Sequence, residues 1–319
     1  MWIGVGICLA RRGRAAEFQA PRVRISGSSL QVFAQRRLLA AWHTTLIVIL
    51  SLAVSACTTS RVLTTTAAPP VPPLNSTKYA AIVIDGSNGT VLYQTAGEAP
   101  RYPASLTKMM TLYLLFEAME SGRVSKTTLI PVSNYARARP PTKIGFRKGG
   151  SIDVETAILA VVTKSANDVA VAIAEYLGGT EDNFAVMMTA KARQIGMRST
   201  TFRNASGLPD PAQMTTARDM ALLGVALRTR FPQYFPYFSV QNFSYRGRTI
   251  RGHNELIGGV EGVDGIKTGY TRASGYNVVT SVSRGNRKLV AVVMGGDSAR
   301  SRNANMAALI EHYMPGGGF

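Results

Sequence analysis

The sequence predicts an α+β fold in which helices flank one antiparallel sheet and a helical block is inserted between its strands. Two observations lead to this prediction. Runs rich in β-branched and aromatic residues occur near both ends of the globular part, within residues 79–94 and 263–294. Between them, much of the segment 103–227 has apolar residues at helical spacing. Strands so far apart in sequence can bury their apolar faces in a single sheet that helices cover.

The elements follow in order along the chain. Strands are predicted at residues 79–85 and 90–94, because the turn sequence Gly-Ser-Asn-Gly at 86–89 separates two β-rich runs. Pro103 favours the start of a helix that continues to about Glu120. Further helices are predicted at residues 154–162, 167–176, 181–195, 216–227 and 303–313. Further strands are predicted at residues 263–267, 276–283 and 289–294.

Length and composition exclude several classes of protein. The 319 residues are 46% hydrophobic, which is enough for a sizeable core and too apolar for a disordered chain. Both cysteines, Cys8 and Cys57, lie near the N-terminus, so the remainder has no disulfide, thiolate metal site or thiol nucleophile. Three histidines are too few for a histidine-rich metal site or a convincing Ser-His-Asp triad. The sequence therefore predicts neither a metal nor a cofactor.

The formal net charge is +18. Residues 1–57 hold seven arginines and one acid, so the remainder carries 29 basic against 17 acidic residues. Such a surplus is typical of proteins with an anionic partner, which can be nucleic acid, a membrane surface or an acidic polymer.

Residues 1–57 have the pattern of a secretory leader. A basic pair at 36–37 precedes a largely apolar run at 38–56, which ends in small residues directly before Cys57. Small residues before a cysteine resemble a bacterial lipobox, in which the thiol is lipidated and the chain is cut before it. The alternative is a signal-anchor helix of similar length.

The leader predicts export to the periplasm and a membrane anchor formed by lipid on Cys57. Residues 58–77 are rich in threonine and proline, which favours an extended linker, and residues 78–319 then form the folded domain. Export argues against nucleic acid as the partner. A cell-wall polymer or an anionic lipid surface fits the basic charge better.

Three short patterns occur in order in the predicted domain. They are Ser105-Leu106-Thr107-Lys108, Ser165-Ala166-Asn167 and Lys267-Thr268-Gly269. The first and third patterns occur once each in the chain, and a Lys-Thr-Gly is expected by chance in about a tenth of chains of this size. Their order and their intervals of 60 and 102 residues make the set far more specific than any member alone.

These residue types suit nucleophilic catalysis. A serine hydroxyl is a poor nucleophile until a neighbouring base takes its proton. Residues three apart on a helix share a face, so Lys108 can hydrogen-bond Ser105. Burial and the nearby charge of Lys267 would lower the pKa of Lys108 enough for it to act as that base. Ser105 also follows Pro103 in a first helical turn, where free backbone N–H groups favour a developing oxyanion.

The three patterns resemble those of the penicillin-binding serine enzymes. More closely, the chain is similar to the low-molecular-mass D-alanyl-D-alanine carboxypeptidases, from about Lys78 to Met314. The sequences that carry the resemblance lie at residues 103–108, 164–168, 204–208, 217–220 and 264–271. The resemblance implies a β-lactamase/DD-peptidase-like fold, so that residues 78–319 form a penicillin-binding, transpeptidase-like catalytic domain.

The resemblance also implies the catalytic roles. Ser105 attacks the carbonyl between two D-alanines, Lys108 takes its proton, and Ser165 relays protons to the leaving amine. The implied function is that of a serine carboxypeptidase that trims the terminal D-Ala of peptidoglycan stem peptides through an acyl-enzyme. β-Lactam antibiotics would then be covalent inhibitors, and no cofactor is implied.

Substrate-binding roles follow from the same resemblance. Asn167 is expected to hold the peptide chain, while Lys267, Thr268 and Gly269 face the site from a strand. The backbone N–H groups of Ser105 and Tyr270 would form the oxyanion hole.

Arg302 resembles the family arginine that helps to hold the free carboxylate of the substrate. The alternative for this residue is an exposed arginine at the start of a helix.

Three other functions stay open. A serine β-lactamase shares the fold but needs a base that hydrolyses its acyl-enzyme, and residues 183–254 contain no glutamate, only Asp210 and Asp219. A DD-endopeptidase would cut cross-bridges between D-alanine and a diamino acid. A non-catalytic wall-binding lipoprotein would not need Lys108.

Overall fold

The computed structural model describes residues 74–316. Its strands are β1 (Ala80–Asp85), β2 (Val91–Thr95), β3 (Leu129–Pro131), β4 (Ser151–Asp153), β5 (Asn242–Tyr245), β6 (Arg248–Arg251), β7 (Val263–Thr271), β8 (Gly275–Arg284) and β9 (Arg287–Gly296). Its α-helices are α1 (Lys108–Glu120), α2 (Asn134–Arg137), α3 (Val154–Leu159), α4 (Asn167–Gly178), α5 (Glu181–Gln194), α6 (Ala217–Arg230) and α7 (Ala299–Tyr313).

Five strands form the main sheet in the order β2-β1-β9-β8-β7. Every neighbouring pair in this sheet is antiparallel, and β1 near the start of the domain pairs with β9 near its end. The helical block is therefore inserted, along the sequence, between strands that pair with each other in the sheet. This confirms the predicted α+β architecture. Strand β7, which carries the Lys-Thr-Gly pattern, is an edge strand of the sheet.

Strand β1 is buried on both faces. Ile82 and Ile84 belong to the larger apolar cluster, which includes residues of α1, α4 and α6. The alternate residues Ala81 and Val83 belong to a second cluster, which includes residues of α7. Because successive strand residues point to opposite faces, the sheet has helices on both sides, and β1 reads as a continuous apolar run.

The helix predicted from Pro103 is divided in the structure. Residues Ala104–Thr107 form a 3-10 turn, and the α-helix begins only at Lys108. Helix α1 is buried almost all round, which is typical of a central helix in a core. The nucleophile candidate Ser105 therefore lies in a tight turn just before the central helix.

The helix predicted at residues 154–162 also changes character. Helix α3 ends at Leu159, and a π-helical segment, Ala160–Lys164, follows it. Ser165 then adopts a left-handed conformation with φ 60° and ψ 38°, which ends the helical path before α4 begins. Left-handed backbone is uncommon for a residue with a side chain, and such strain is frequently found at functional sites.

Two short two-stranded sheets were not predicted from the sequence. Strands β3 and β4 pair with each other, as do β5 and β6. These strands have three or four residues each and much polar character, so they lack the alternating pattern that reveals longer strands.

Helix α7 begins at Ala299, four residues before the predicted start. The Ser298 side chain accepts a hydrogen bond from the Ser301 backbone N–H, and the Ser301 side chain accepts one from the Ser298 backbone N–H, which forms a capping box. Arg302 consequently lies in the first turn of α7, where its side chain is 3% exposed. The alternative of an exposed arginine is therefore wrong.

No helix within residues 74–316 combines the length and the apolar character that a membrane crossing requires. The predicted leader, Cys57 and most of the predicted linker lie outside the described residues, so the lipid anchor stays a prediction.

Candidate active site

Lys108 lies directly beside the candidate nucleophile. Its Nζ is 3.1 Å from Ser105 Oγ, as the three-residue spacing predicts. Two further acceptors surround the same nitrogen: Asn167 Oδ1 at 2.8 Å and the Ser206 carbonyl oxygen at 2.5 Å. Lys108 is fully buried, so these three oxygens take the place of water around its amine.

This arrangement directs the lone pair of a neutral Lys108. A neutral amine has two N–H donors and one lone pair. The Asn167 amide oxygen and the Ser206 carbonyl can only accept, so they take both N–H groups. The lone pair then faces Ser105 Oγ, which is the only neighbour of the three able to donate. The geometry therefore suits removal of the serine proton.

The pKa of Lys108 is well below that of an ordinary lysine. Burial is the largest cause, and the positive charge of Lys267 lowers the pKa further. Asp168 and Glu181 act in the opposite direction. Because a base must be neutral to accept a proton, this shift favours the role predicted for Lys108.

A second buried lysine completes the electrostatics. Lys267 is 2% exposed, and its Nζ donates to the Thr268 carbonyl at 2.9 Å. Burial lowers the pKa of Lys267 to about 7, and the positive charge of Arg302 contributes to the shift. Arg302 thus disfavours the charge of Lys267, and Lys267 disfavours the charge of Lys108.

Ser165 presents a hydroxyl without a partner. Its Oγ is buried and makes no hydrogen bond within residues 74–316. Ser165 and Ser105 line the same cleft. A buried hydroxyl left unpaired is costly unless a ligand satisfies it, which agrees with the proton-relay role predicted for Ser165.

Asn167 holds the base in place. Its Oδ1 accepts from Lys108, and its Nδ2 donates to the Pro140 carbonyl at 2.5 Å. The Asn167 backbone N–H donates to the Thr142 carbonyl at 2.7 Å. The structure thus joins Asn167 to Lys108 and to the segment around Pro140. Its predicted contact with the peptide chain stays a prediction.

Asp168 holds the chain that follows Pro140 through backbone hydrogen bonds. Its buried carboxylate accepts from the backbone N–H groups of Ile144 at 3.2 Å and Gly145 at 2.9 Å. Burial nevertheless raises the pKa of this carboxyl, and the backbone hydrogen bonds oppose the rise. Asp168 therefore anchors the loop that forms one wall of the cleft.

Strand β7 packs against the turn that carries the nucleophile. A Cβ placed on Gly269 would lie 3.0 Å from the Ser105 nitrogen and 3.2 Å from the Leu106 nitrogen. Only a glycine lets the strand come so close. The next residue, Tyr270, has a 54% exposed side chain whose ring lies 4.3 Å from that of Tyr276. This approach agrees with the predicted oxyanion hole, which stays a prediction.

Arg302 has two N–H groups left for a ligand. Its Nε and Nη2 both donate to Asn303 Oδ1, at 3.0 and 2.7 Å, and its Nη1 donates to the Asn277 carbonyl at 3.2 Å. A guanidinium has five N–H donors, so one remains on each Nη nitrogen. Burial lowers the pKa of Arg302 to about 10, which leaves it charged at neutral pH. A forked pair of donors suits a carboxylate.

These side chains meet around a cleft of about 280 Å³. It is lined by Ser105, Pro141, Thr142, Ser165, His253, Thr268, Gly269, Tyr270, Tyr276, Ala299 and Arg302. Lys108 and Asn167 lie behind the nucleophile, and Lys267 lies beside Thr268. The nine predicted site residues of the folded domain are thus brought together. Residues 74–316 contain no group of three or more side chains suited to a metal ion.

Two parts of the active site were not predicted from the sequence, because they are backbone groups far from Ser105 along the chain. The Ser206 carbonyl accepts from Lys108, and Gly207 has φ +82° with no room for a Cβ, which would lie 1.8 Å from the Ala104 oxygen. The pattern Asn204-Ala205-Ser206-Gly207 carries part of the family resemblance, yet its spacing indicates no chemistry. The one residue that could have indicated its role is the glycine, which permits the close approach to Ala104.

Asn277 was also missed. Its Nδ2 donates to the carbonyls of Tyr102 and Pro103, at 3.1 and 3.3 Å, and its Oδ1 accepts from the Gly295 N–H at 2.9 Å. The residue thereby joins β8 and β9 to the turn of Ser105. An asparagine directly before the apolar pair Val278 and Val279 of a buried strand is the signal that could have revealed it.

Comparison with known proteins identifies the family of the chain. Residues 64–298 match the model of peptidase family S11, described as D-alanyl-D-alanine carboxypeptidase. The chain is 34% identical over 247 residues to D-alanyl-D-alanine carboxypeptidase DacA of Escherichia coli K12, an alignment covering 75% of this chain and 61% of that protein. The chain thus spans about three fifths of the length of this relative.

Solved structures show the same fold. Penicillin-binding protein 5 from Haemophilus influenzae matches with a TM-score of 0.71 and 30% identity, over 76% of this chain and 71% of that chain. Penicillin-binding protein D2 from Listeria monocytogenes, in its cefotaxime-bound form, matches with a TM-score of 0.67 and 29% identity, over 73% and 95%. These matches confirm the predicted β-lactamase/DD-peptidase-like fold. With the family model matching most of its length, the chain belongs to the D-alanyl-D-alanine carboxypeptidase family, peptidase family S11.

Proposed function

We propose that the protein is a serine-type D-alanyl-D-alanine carboxypeptidase that removes the terminal D-Ala of peptidoglycan stem peptides. The observation that carries this proposal is the position of Lys108. It is a buried amine of lowered pKa whose two N–H groups are taken by acceptors and whose third direction faces Ser105 Oγ. Such an amine can activate a serine without a histidine.

Acylation begins when Ser105 Oγ attacks the carbonyl carbon between the two D-alanines, while Lys108 takes the hydroxyl proton. The carbonyl oxygen becomes an oxyanion, which the backbone N–H groups of Ser105 and Tyr270 stabilise. The C–N bond then breaks, and the proton passes through Ser165 to the departing amine. The products are free D-Ala and an ester on Ser105.

Arg302 holds the terminal carboxylate during this step. Arg302 lines the same cleft as Ser105 and Thr268, and two of its N–H groups are not used by the described residues. Binding this carboxylate fixes the scissile bond relative to the nucleophile.

Deacylation consumes one water molecule. Departure of D-Ala leaves space beside the ester, where water can approach. Lys108, neutral again, accepts a proton from this water as its oxygen attacks the acyl carbon. The ester bond breaks, Ser105 regains a proton, and the shortened peptide leaves with a new carboxylate.

Penicillin tests the nucleophile and the family activity together. Penicillin-binding protein D2 from Listeria monocytogenes was solved in a cefotaxime-bound form, and in this chain Ser105 Oγ lies 3.1 Å from the amine of a buried lysine. We expect benzylpenicillin to acylate Ser105 and to leave slowly. Its leaving group stays tethered in the cleft and hinders water, and residues 183–254 lack the glutamate used by a β-lactamase.

The first measurement is mass spectrometry of the intact protein after incubation with benzylpenicillin. The second is the release of free D-Ala from a peptide that ends in D-Ala-D-Ala. Wild type should gain the mass of one penicillin and should release D-Ala. Ser105→Ala should do neither, whereas Ser121→Ala, at the exposed end of α1, should do both. Rapid penicillin hydrolysis without an adduct would instead support a β-lactamase.

The location of the enzyme is part of the proposal. Export to the periplasm places it beside peptidoglycan, lipid on Cys57 would hold it at a membrane, and no nucleic-acid partner is needed. Metabolic labelling with a tagged fatty acid should mark wild type and Thr58→Ala but not Cys57→Ser. Equal labelling of wild type and Cys57→Ser would rule out this anchor.

A further inference from the structure

A buried carboxylate that the proposed reaction does not use is connected to the base through one short segment of chain. Glu181 is the first residue of α5 and is 8% exposed. Its Oε1 accepts a hydrogen bond from the Ala205 backbone N–H at 2.9 Å. Ala205 directly precedes Ser206, whose carbonyl accepts from Lys108 Nζ. Glu181 therefore binds the segment that supplies one of the two acceptors of the amine.

The segment 204–208 is held by several contacts of different origin. Asn204 Oδ1 accepts from three backbone N–H groups of the segment, at 2.8 to 3.2 Å. The N–H of Ala205 does not join this set and donates to Glu181 instead. The Ala205 carbonyl accepts from Thr111 Oγ1 of α1 at 2.7 Å. Without the Glu181 acceptor, a buried N–H would be unpaired and the segment would lose one of these supports.

The two helices that meet at this segment are also joined at their other ends. Helices α1 and α5 contact each other, and near the end of each helix Lys191 Nζ pairs with Glu117 Oε1 at 2.8 Å. The first residues of the two helices are Lys108 and Glu181. The carboxylate at the start of α5 is thus held in a fixed position relative to the amine at the start of α1. The N-terminus of a helix also stabilises a carboxylate.

Glu181 carries a negative charge that no cation contacts directly. No basic side chain within residues 74–316 forms an ion pair with it. Its Oε2 accepts from the Tyr135 hydroxyl at 2.9 Å, and the ring of Tyr135 lies 3.8 Å from the guanidinium carbon of Arg139. The next residue in α5, Asp182, is exposed. The charge of Glu181 is therefore balanced only by hydrogen bonds and by cations farther away.

One of those cations is the protonated base. Burial is the main reason why the pKa of Lys108 is low, and the charge of Lys267 lowers it further, whereas Asp168 and Glu181 raise it. Asp168 has a separate task, because its carboxylate binds the backbone N–H groups of residues 144–145. A base whose pKa falls too far is neutral but weak, since proton transfer depends on its basicity. The charge of Glu181 limits this loss of basicity.

We infer that Glu181 is a positioning residue: it holds the Ser206 carbonyl against Lys108 and supplies a negative charge that stabilises the protonated amine during acylation. Glu181 does not line the cleft, so it acts on the reaction through the lysine. The inference rests on the proposed function and deepens it, because it names a residue that sets the strength of the base.

Four variants separate charge from shape. Glu181→Gln removes the charge, while its amide oxygen can still accept from the Ala205 N–H and its NH2 group can donate to the Tyr135 hydroxyl. Glu181→Ala removes both the charge and the acceptor. Tyr135→Phe removes one hydrogen bond to the carboxylate and leaves its charge. Asp182→Asn is the control, because it removes an exposed acid from the same turn of α5.

The measurement is the rate of acylation by benzylpenicillin from pH 5 to 10. Glu181→Gln should move the rising limb to lower pH by about half a unit or more, because the ammonium form of Lys108 loses a stabilising charge. Its rate at high pH should fall about 2- to 10-fold, since the base is weaker. Glu181→Ala should show the same shift and a further loss of about tenfold. Asp182→Asn and Tyr135→Phe should keep the rising limb where wild type has it.

A pH profile of Glu181→Gln that coincides with that of wild type would overturn the inference, because a merely structural residue does not move the rising limb. A wild-type rate in Glu181→Ala would show that the contact with Ala205 does not hold the acceptor of the base. Circular dichroism of each variant checks folding, and Glu181→Gln keeps the test decisive if Glu181→Ala does not fold. In both cases wild type still releases D-Ala and the carboxypeptidase proposal stands. If wild type forms no penicillin adduct and releases no D-Ala, the proposed function fails, and the inference with it.

Discussion

Gly269 of the edge strand lies against the backbone of Ser105, with 3.0 Å between its Cβ position and the Ser105 nitrogen. A methyl group there presses on backbone atoms, which cannot rotate away as a side chain can. The turn of the nucleophile and strand β7 must therefore separate by a few tenths of an ångström whenever residue 269 is not glycine.

Gly269→Ala should slow acylation by benzylpenicillin about 10- to 100-fold, because small displacements of reacting groups are costly in rate. Stopped-flow or quenched labelling measures the rate, and circular dichroism checks folding. Gly97→Ala is the control, since the three atoms nearest to its Cβ all belong to the side chain of Gln94. Equal acylation rates in wild type and Gly269→Ala would show that the close approach does not position the nucleophile.

Asn167→Asp should shift the pH dependence of acylation. A carboxylate beside Lys108 favours the ammonium form and raises the pKa of the lysine. The base is then protonated at a pH where it is neutral in wild type, so the rising limb of the pH profile should move upward by about one unit or more. Rates measured from pH 5 to 10 determine the shift.

The control for this change is Asn286→Asp in the turn between β8 and β9, which should leave the profile unchanged. Asn167→Ala adds a second comparison, because it removes the acceptor without adding charge. If Asn167→Asp raises KM and leaves the pH profile in place, Asn167 acts on the peptide chain and does not position Lys108.

Arg302→Ala should raise the KM for a D-Ala-D-Ala peptide more than it lowers kcat. An arginine that holds the terminal carboxylate before and during the reaction contributes uniform binding, which appears in KM. Amidation of that carboxylate should impair wild type far more than the variant. Arg300→Ala, an exposed neighbour in α7, should match wild type, and equal losses on amidation would exclude Arg302 as the carboxylate site.

Lys267→Met should change how stability depends on pH. The pKa of Lys267 falls from an ordinary value of 10.5 to about 7 on folding, so between these values the unfolded chain binds more protons than the native one. The free energy of unfolding of wild type therefore rises with pH in this window, by up to about 1.4 kcal/mol per unit, and falls back as pH drops toward 7. The variant lacks this contribution.

Urea unfolding at pH 7, 8 and 9 measures the effect. Relative to wild type, Lys267→Met should be most stable at pH 7 and should lose that advantage as pH rises. Lys288→Met, an exposed lysine of β9, should follow wild type. Parallel curves for wild type and Lys267→Met would mean that Lys267 is not buried in a poorly solvated site.

The sequence was informative wherever chemistry depends on short spacing. Ser105 and Lys108 are neighbours on consecutive turns, so their contact follows from helical geometry. Lys267 was found because its tripeptide is rare. In contrast, one of the two N–H groups of Lys108 donates to the Ser206 carbonyl, 98 residues away in sequence, and no local pattern indicates that contact.

The fold shows the same division. The central antiparallel sheet could be predicted because β1 and β9 are apolar runs that need a shared core. The π-helical segment and the left-handed Ser165 could not, since their conformation is imposed by packing against the rest of the domain.

The contacts that support Ser105 join distant parts of the chain. Asn277 reaches the carbonyls of Tyr102 and Pro103 across 174 to 175 residues, and Gly207 meets Ala104 across about a hundred. Contacts of such long range form late, because chain closure must precede them. Reaction with penicillin therefore reports the last stage of folding. In a refolding experiment, the ability of Ser105 to be acylated should recover later than the helical circular dichroism signal.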